Sequence, residues 1–417
     1  MEYGCIGEKL GHSFSKIIHK ELADYNYELC EIAKEDLNEF MAKADFKAIN
    51  VTIPYKESVI PYLYYIDEIA SKIGAVNTIV KKDGKLFGFN TDFLGMSALI
   101  ERQGIMLCGK KVLILGSGGT SKTAFAVAES MNASVIYRVS RKGGNGLITY
   151  DEAYNNHSDA EIIINTTPCG MYPNNDNAAI DINRFPNLCG VVDAVYNPLN
   201  SLLVTSAKNN GINAVCGLYM LVSQAAFAVE KFIDKKVSVS EVDRIFKKIL
   251  CDKKNAVLIG MPGCGKTTIG KAIAESLSKE FIDTDDEIVK KIGMSIPEFF
   301  EKYGEAAFRK IESEVIAGVS LKQNCVIATG GGAVLNRKNI DLLKGNGIII
   351  FIDRPLDLLI TTSDRPLSSN RDLLKKRYEE RYDIYLSSND LIIKADKDLK
   401  TNIKAVEEGF LNEIFSS

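Results

Sequence analysis

Two glycine-rich loops set the strongest limit on how this chain can fold, because each lies between an apolar strand pattern and a helical pattern. One loop begins at Gly116 and the other at Gly260. Such turns let backbone N–H groups at a helix N-terminus approach phosphate groups closely. The two loops follow different patterns and are too far apart to serve one nucleotide within one strand–helix–strand unit. They therefore predict two nucleotide sites.

Length and composition are typical of a soluble protein with several domains. The 417 residues exceed what one hydrophobic core usually organises, which favours two or three domains. Hydrophobic residues make up 46% of the chain, charged residues 25%, and the formal net charge is -3. This is not the basic excess that indicates nucleic-acid binding. We therefore expect no nucleic-acid partner.

No segment of the sequence suggests export, a membrane span or a zinc site. The N-terminus lacks a basic stretch and a long apolar run, and no apolar run elsewhere is long enough to cross a bilayer. The 9 cysteines are scattered singly and there are 3 histidines, so the spacings of a disulfide framework or a zinc site are missing. These features predict a cytoplasmic protein with no membrane partner.

Apolar strand patterns alternate with amphipathic helical patterns along the chain, and this alternation predicts an α/β fold with parallel sheets. A helical pattern over residues 239–250 is followed by a short polar joint and then by a strand pattern over 256–259. The joint has no Pro-rich or Gly/Ser-rich tether. We therefore predict a domain boundary near Lys253, with the two halves abutting through a short joint.

The first loop, residues 116–121, is a weak signal by itself, because a glycine-rich turn between a strand and a helix is often only a turn. The strand that follows ends in Ser140-Arg141-Lys142 rather than in an acidic residue that would bind a free ribose 2′-hydroxyl. Two cations at this position suit a 2′-phosphate, which favours NADP over NAD. The alternative is a solvated pair of surface cations.

The second loop, residues 260–268, has the full P-loop pattern together with its strand and helix context. The pattern predicts that backbone amides cradle the ATP phosphates, that Lys266 neutralises β- and γ-phosphate oxygens, and that the Thr267 hydroxyl binds Mg²⁺. The predicted ATP contacts in this loop are Gly263, Cys264, Gly265, Lys266, Thr267 and Thr268.

Two carboxylates follow this loop at a spacing of two residues, Asp283 and Asp285. If both lay on one strand, this spacing would put them on the same face, pointing toward the phosphates and the substrate. The competing interpretation is an exposed acidic turn.

Clusters of polar residues in the N-terminal half resemble the shikimate dehydrogenase family in type and order. The resemblance extends over essentially residues 1–250, and the segments that carry it are 11–15, 50–56, 74–78, 90–92, 165–171, 193–198 and 217–224. It implies an α/β substrate-binding domain over residues 1–95, completed by residues 217–252. It also implies a Rossmann NADP-binding domain over residues 96–216.

The resemblance also implies roles for single residues. Lys56 would be the general acid/base, and Asp92 would orient it and bind a substrate hydroxyl; a purely structural salt bridge is the alternative. His12 has no acid/base role in this assignment. The other substrate contacts would be Ser13, Ser15, Thr52, Asn77, Tyr196 and Gln224. The NADP contacts would be Gly116, Ser117, Gly118, Gly119, Thr120, Ser140, Arg141, Lys142 and Gly217.

The C-terminal half, over roughly residues 255–417, resembles shikimate kinase. Besides the P-loop, the segments that carry this resemblance are 281–285, 304–312, 326–332, 364–367 and 381–385. The resemblance implies a P-loop α/β domain like those of nucleoside monophosphate kinases over residues 253–417. Family members commonly carry an adenine-stacking arginine within the stretch that corresponds to residues 358–363, and this chain has none there.

This second resemblance assigns the kinase site. Asp285 would bind the ring hydroxyls next to the attacking oxygen, and Asp283 would help hold Mg²⁺ through water. Arg309 and Arg381 would clamp the shikimate carboxylate, because a guanidinium matches a carboxylate bidentately. The glycines Gly331 and Gly332 would give close backbone contacts. The lid arginine Arg365 would reach over the transferring phosphate of ATP.

Together, the two resemblances imply consecutive reactions. The first half would reduce 3-dehydroshikimate to shikimate with NADPH, and the second would phosphorylate that shikimate with ATP and Mg²⁺ to give shikimate 3-phosphate. Two alternatives stay open. The chain could join a quinate or other hydroxy-acid dehydrogenase to a related small-molecule kinase, or its kinase-like half could only sense a ligand.

Overall fold

The structure is a computed structural model that describes residues 1–10, 14–359 and 371–415. By the density of its internal contacts the chain divides into two compact units. The first comprises Met1–Asn197 and Leu203–Phe246, and the second comprises Pro198–Leu202 and Lys247–Ser417. The helix Val239–Lys253 contains the main junction, and it ends at the residue where the sequence predicts the boundary. The exact boundary stays a prediction.

The first sheet of the first unit is mixed, with the strand order β2-β1-β3-β5-β6-β4. Its strands are β1 (Tyr3–Gly7), β2 (Tyr27–Glu31), β3 (Ala48–Val51), β4 (Tyr65–Ile66), β5 (Thr78–Lys82) and β6 (Lys85–Phe89). Its helices are α1 (Phe14–Leu22), α2 (Leu37–Lys43), α3 (Glu68–Ile73) and α4 (Thr91–Gln103). Strand β5 is antiparallel to both β3 and β6, so the C-terminal ends of β3 and β6 lie at one edge of the sheet.

The second sheet is wholly parallel, with the order β12-β11-β10-β7-β8-β9. Its strands are β7 (Lys111–Leu115), β8 (Val135–Val139), β9 (Leu147–Ile148), β10 (Ile162–Asn165), β11 (Gly190–Asp193) and β12 (Asn213–Cys216). The helices of this segment are α5 (Gly119–Ser130), α6 (Tyr150–Asn156) and α7 (Leu202–Asn209). The strand order reverses between β7 and β10, which is the usual ligand position in such sheets.

Two helices follow the second sheet, α8 (Leu218–Ile233) and α9 (Val239–Lys253). Ala228 and Phe232 of α8 are buried with Cys5, Tyr27 and Val80 of the first sheet. Residues beyond 217 thus return to the first sheet and complete its core, although the whole second sheet, from β7 to β12, lies between them and α4 in the chain. The sequence predicts this return by resemblance only.

The third sheet, in the second unit, is also parallel, with the order β14-β15-β13-β16-β17. Its strands are β13 (Asn255–Ile259), β14 (Glu280–Asp283), β15 (Cys325–Ala328), β16 (Gly347–Asp353) and β17 (Leu391–Lys394). Its helices are α10 (Lys266–Ser276), α11 (Thr284–Ile292), α12 (Ile296–Ser320), α13 (Arg337–Lys344), α14 (Arg371–Ser388) and α15 (Leu399–Phe415). The predicted α/β class with Rossmann-like parallel sheets is confirmed. Short 3-10 helices cover Lys34–Asp36, Ile60–Tyr62, Ile182–Arg184, Ala333–Leu335 and Leu356–Leu358.

The central strands of both parallel sheets are buried on both faces, which explains their unbroken apolar sequences. Residues 112–115 of β7 and 256–259 of β13 are all buried. Helices cover both faces of a parallel sheet, so such strands do not alternate apolar and polar residues. Within the described residues, no helix is long and apolar enough to cross a membrane.

A buried lysine, Lys279, fixes the chain around the start of the third sheet. Its ammonium donates to the backbone carbonyls of Cys251 (2.7 Å) and Lys254 (3.1 Å) and to the side-chain oxygen of Asn324 (2.9 Å). Burial lowers the pKa of Lys279. Because the three acceptors replace the lost water, a charged side chain is tolerated in this interior position.

A buried histidine, His19, lies under the first sheet between two tyrosines. Its ring stacks on Tyr27 with centroids 3.9 Å apart, and Nδ1 is 2.7 Å from the Tyr25 hydroxyl. Among the described residues Nε2 has no hydrogen-bond partner. Burial lowers the pKa of His19 from its ordinary 6.5 to about 3.

His19 should make the stability of the first unit pH-dependent. Between pH 6.5 and 3 the unfolded chain binds a proton at His19 that the folded protein rejects, so the free energy of unfolding falls as pH falls, by up to about 1.4 kcal/mol per pH unit. We expect His19→Gln to reduce the change of the urea-unfolding midpoint with pH between pH 6.5 and 4. As a control, His157→Gln should keep most of this pH dependence. Identical slopes for His19→Gln and the unmodified protein would contradict this assignment.

Candidate active sites

In the first unit, Lys56 and Asp92 form an ion pair with Nζ and Oδ2 2.6 Å apart. Lys56 follows β3, whereas Asp92 lies in the first turn of α4, directly after β6. The shared edge at which β3 and β6 end brings the two residues together. Their side chains are 18% and 13% exposed, so the pair is largely shielded yet can be reached from solvent. Such a lysine can give or take a proton while the carboxylate fixes its position.

A buried hydrogen-bond network holds the residues around this pair. Asn77 Oδ1 accepts from the Thr91 backbone N–H (2.7 Å), and Asn77 Nδ2 donates to Thr91 Oγ1 (3.1 Å). Thr91 Oγ1 in turn donates to Gln224 Oε1 at 3.5 Å. Thr91 directly precedes Asp92, so the network joins the predicted residues Asn77, Asp92 and Gln224.

Asn50 belongs to the same network, although the sequence assigns it no role. It accepts from the Tyr27 hydroxyl at 2.8 Å and donates to Thr78 Oγ1 at 3.2 Å and to the Asn77 carbonyl at 3.3 Å. The available signal was its place in the polar cluster at residues 50–56, two positions before Thr52. Buried amides that satisfy several polar groups at once make a site rigid.

The remaining predicted substrate contacts are placed less directly. Thr52 donates its backbone N–H to the Ile6 carbonyl at 2.9 Å, at the end of β3. Ser15 lies half-buried in the first turn of α1. Its neighbour Phe14 meets the ring of Tyr196 edge-on at 5.6 Å. Ser13 and His12 lie outside the described residues.

The first glycine-rich loop joins β7 to α5 and leaves the start of that helix open. Gly116 has a φ of 122°, and a Cβ there would lie 2.5 Å from Thr166 Oγ1, so only glycine fits. Ser117 and Gly118 are exposed, and Gly119 and Thr120 form the first helical turn. Free N–H groups at such a helix start suit a pyrophosphate.

Ser121 stands where dinucleotide loops prefer glycine or alanine, and the structure shows how the loop accommodates it. The residue is buried, and its hydroxyl donates to the Gly116 carbonyl at 2.7 Å. The hydroxyl thus closes the turn from inside.

Two predicted cations follow β8 at the same edge of the second sheet. Arg141 and Lys142 are exposed, and the Ser140 hydroxyl accepts from the Gly143 N–H at 3.0 Å, which closes the turn that carries them. Because β8 is parallel to β7 and paired with it, these cations lie beside the glycine-rich loop. Gly217 is the N-cap of α8 and directly follows β12, an outer strand of the same sheet.

A buried pair that the sequence does not assign holds the ends of β10 and β11. Asn165 Nδ2 donates to Asp193 Oδ1 at 2.9 Å, and both residues are fully buried. Asn165 Oδ1 also accepts from the Thr167 N–H at 3.0 Å. The pair therefore fixes the loops next to the switch in strand order. The only sequence signal for this pair was that Asn165 lies in the motif segment 165–171 and Asp193 in the motif segment 193–198.

In the second unit, the P-loop joins β13 to α10 as predicted. Lys266 is buried, and its ammonium donates to the carbonyls of Gly260 (2.8 Å) and Met261 (3.0 Å) in its own loop. Cys264 is buried beside it, with Sγ 3.6 Å from Nζ. The lysine is thus held within the loop, at the point where phosphate oxygens would meet it.

The prediction that Asp283 and Asp285 share one strand face is wrong. β14 ends at Asp283, which caps α11, while Asp285 lies in the first turn of that helix. Asp283 Oδ1 accepts from the Asp285 N–H at 3.0 Å, and Oδ2 accepts from the Thr267 hydroxyl at 2.9 Å. A helix cap, rather than strand alternation, therefore brings both carboxylates to the cleft.

Arg309 of α12 is held by two carboxylates of the same helix. It lies 2.7 Å from Glu312 and 3.0 Å from Glu305. Glu312 is almost fully buried, and burial raises its pKa although Arg309 opposes the shift. Gly332 lies against the guanidinium, because any Cβ at that position would collide with it. No role for Glu312 is predicted from the sequence, although it lies within the motif segment 304–312.

Arg381 of α14 also contacts the glycine turn at residues 331–332. Its Nη1 donates to the Gly331 carbonyl at 2.9 Å, and the buried Tyr385 hydroxyl donates to the same oxygen at 2.6 Å. Burial lowers the pKa of Arg381. The turn at Gly331 and Gly332 thus contacts both predicted arginines.

These groups line one cleft of about 760 Å³. The predicted kinase residues that line it are Gly263, Gly265, Lys266, Thr267, Thr268, Asp283, Asp285, Arg309, Gly331, Gly332 and Arg381. Glu312 and Arg377 line it as well, although the sequence did not assign them. Arg365 lies outside the described residues. The cleft combines a phosphate loop, the carboxylates of Asp283, Asp285, Asp286 and Glu312, and the guanidinium groups of Arg309, Arg377 and Arg381. This set of groups suits phosphoryl transfer to an anionic acceptor.

Comparison with known proteins identifies relatives for both halves. Residues 5–79 match the family model described as Shikimate dehydrogenase substrate binding domain, and residues 262–414 match the one described as Shikimate kinase. A Shikimate dehydrogenase (NADP(+)) from Clostridium perfringens strain 13 is 38% identical, over 60% of this chain and 98% of the relative. One of the same name from Methanosphaera stadtmanae is 35% identical, over 59% of this chain and 96% of the relative.

Solved structures are similar over a comparable part of the chain. A chorismate mutase/shikimate 5-dehydrogenase fusion protein from Clostridium acetobutylicum is 37% identical, with a TM-score of 0.56 over 59% of this chain and 96% of that chain. Shikimate 5-dehydrogenase from Thermus thermophilus, solved with NADP(H) and shikimate, is 25% identical, with a TM-score of 0.54 over 60% of this chain and 99% of that chain.

Proposed function

The chain belongs to the shikimate dehydrogenase family and carries a shikimate kinase domain over residues 262–414, and from this premise we propose that it catalyses two consecutive reactions. The first is the reduction of 3-dehydroshikimate to shikimate with NADPH. The second is the phosphorylation of shikimate to shikimate 3-phosphate with ATP. The observation that carries the proposal is that each unit has the groups its reaction needs: an ion-paired lysine in one, and a P-loop facing two arginines in the other.

In the first reaction, NADPH supplies a hydride to the ketone carbon, and the protein must supply a proton to the oxygen. Lys56 donates this proton as the alkoxide develops. Asp92 holds the ammonium in place and accepts a hydrogen bond from a ring hydroxyl. The Asn77–Thr91 network keeps Asp92 fixed, so little reorganisation accompanies proton transfer. Ser13, Ser15, Thr52, Tyr196 and Gln224 are proposed to contact the rest of the substrate.

NADPH is proposed to lie along the edge of the second sheet, with its pyrophosphate at the start of α5 and its 2′-phosphate at Arg141. The contacts proposed there are Gly116, Ser117, Gly118, Gly119, Thr120, Ser140, Arg141, Lys142 and Gly217. No acidic residue occupies the end of β8, where a cofactor without the phosphate would need one.

Arg141→Ala is expected to raise the KM for NADPH about tenfold and to leave the KM for NADH nearly unchanged. Only the phosphorylated cofactor loses a charge-assisted hydrogen bond, which is worth about 1.5–3 kcal/mol, and exposure places the effect near the lower end. Steady-state kinetics with both cofactors measures the ratio. Arg184→Ala, another exposed arginine of the same unit, serves as the control. Equal changes for the two cofactors would show that Arg141 is only a surface charge.

In the second reaction, Arg309 and Arg381 hold the shikimate carboxylate and Asp285 lies at the attacking hydroxyl. Lys266 exchanges its loop carbonyls for phosphate oxygens, and Arg365 is proposed to reach over the transferring group. Mg²⁺, when bound, neutralises phosphate charge. The neighbouring oxygens of Thr267 and Asp283 fit this ion, because it prefers a hydroxyl and a carboxylate beside nucleotide phosphates.

A coupled assay tests the proposed sequence of reactions. The chain is mixed with 3-dehydroshikimate, NADPH, ATP and Mg²⁺, and the products are separated by mass. We expect shikimate to form first and shikimate 3-phosphate to follow, with no second product when ATP is omitted. Faster oxidation of quinate than of shikimate in the reverse direction would support the hydroxy-acid alternative. ATP binding without any phosphorylated product would support a sensor.

A further inference from the structure

Arg354 stands beside the P-loop, although neither the sequence motifs nor the comparisons give it a role. It directly follows β16, and β16 pairs with β13, the strand that opens into the P-loop. A Cβ placed on Gly265 would lie 3.9 Å from Arg354 Nη1. The guanidinium therefore lies next to the turn that leads into Lys266.

Among the described residues, the side chain of Arg354 is held by a backbone carbonyl rather than by a charged partner. Its Nε donates to the Leu358 carbonyl at 2.9 Å, which fixes the direction of the guanidinium. Within residues 1–10, 14–359 and 371–415, no carboxylate forms an ion pair with it, and it is half-buried. A half-buried guanidinium with free Nη donors beside backbone amides suits an anion.

The topology of the third sheet indicates which ligand passes this point. All five strands are parallel, so the loops after them meet at one edge. The residues that face the acceptor, Asp285 and Gly331, follow β14 and β15, on one side of the P-loop strand β13. The part of the nucleotide that is not transferred must then leave on the other side, where β16 and β17 end.

We propose that Arg354 binds a phosphate oxygen of the nucleotide at the P-loop, as a second cation beside Lys266; this rests on the proposed kinase function. Its planar guanidinium can donate two parallel hydrogen bonds to one phosphate, whereas each backbone amide of the loop donates only one. Because Arg354 is anchored by the Leu358 carbonyl, it is oriented before the nucleotide arrives.

Equilibrium binding tests this role without turnover. Isothermal titration calorimetry of the whole chain with Mg·ADP, and separately with inorganic tripolyphosphate, compares the unmodified protein with Arg354→Ala, Arg354→Lys and Arg337→Ala. We expect Arg354→Ala to raise the Kd of both ligands about tenfold and Arg354→Lys to raise it less. Arg337→Ala, which removes a surface pair with Asp341 on α13, should bind as the unmodified protein does.

Each outcome decides between specific interpretations. If only ADP binding weakens, Arg354 contacts the nucleoside and the phosphate role is wrong. If the affinity for neither ligand falls, Arg354 only ties its own loop to Leu358. The proposed kinase function is tested separately by product formation, so a protein that binds ADP through Arg354 but does not phosphorylate shikimate would overturn that function and not this inference.

Discussion

Replacing Lys56 by alanine is expected to lower kcat for 3-dehydroshikimate reduction by about 10²- to 10⁴-fold, because the alkoxide would lose its proton donor. The KM for NADPH should change little, since the glycine-rich loop belongs to a different sheet. Phosphorylation of added shikimate should continue at its normal rate. NADPH oxidation followed by absorbance measures the first reaction, and phosphate transfer from ATP measures the second.

A matched control exists close by. Lys122 and Glu57 form an ion pair of the same length as Lys56 and Asp92, 2.6 Å, but it is more exposed. Lys122→Ala should leave kcat unchanged, because exposed pairs contribute about 0–1 kcal/mol and the proposed proton transfer does not involve Lys122. Partial restoration of the Lys56→Ala variant by methylamine would support proton transfer. Near-normal reduction by that variant would leave only a structural salt bridge.

Replacing Lys266 by alanine is expected to lower kcat for phosphorylation of shikimate by at least about 10²- to 10³-fold, the scale seen when one preorganised donor to developing charge is lost. Reduction of 3-dehydroshikimate should continue, so shikimate should accumulate in the coupled assay. The accumulated shikimate, measured by mass, is the clearest readout.

The fold must survive this substitution for the result to be informative. Lys266 contacts two carbonyls of its own loop, so circular dichroism and the unfolding midpoint should be compared with those of Lys290→Ala. Lys290 pairs with Glu287 on the exposed side of α11, and its loss should leave both reactions intact. If Lys266→Ala also stopped NADPH oxidation, the assignment of separate sites to the two units would be wrong.

Local patterns in the sequence were sufficient to predict the parallel sheets and both glycine-rich loops. The strand Lys111–Leu115 and the P-loop lie where their patterns predict them. Apolar runs, glycine turns and helix starts depend only on neighbouring residues, so a local pattern is enough to locate them. The sequence-based placement failed for Asp285. A spacing of two residues is compatible with a strand face and also with a helix that begins between the two residues, and only the cap at Asp283 distinguishes them.

Residues that act through tertiary contacts could not be found in the same way. Glu312 is indistinguishable from a surface glutamate in the sequence until α12 packs and buries it beside Arg309. Asn50 of β3 joins Tyr27 of β2 to Asn77 and to Thr78 of β5, groups that lie far apart in the chain. Arg354 follows no motif, and its position depends on the pairing of β16 with β13.

The three acceptors around Lys279 have a practical meaning for dissecting this gene. One of them, the Cys251 carbonyl, belongs to the last turns of α9, upstream of the predicted boundary. A kinase fragment that starts at Lys253 would keep the interior ammonium but lack this acceptor, and a buried group that loses a partner costs about 1–3 kcal/mol. An expression fragment of the kinase should therefore begin before Lys247. It then includes the end of α9, which supplies a hydrogen-bond acceptor to Lys279.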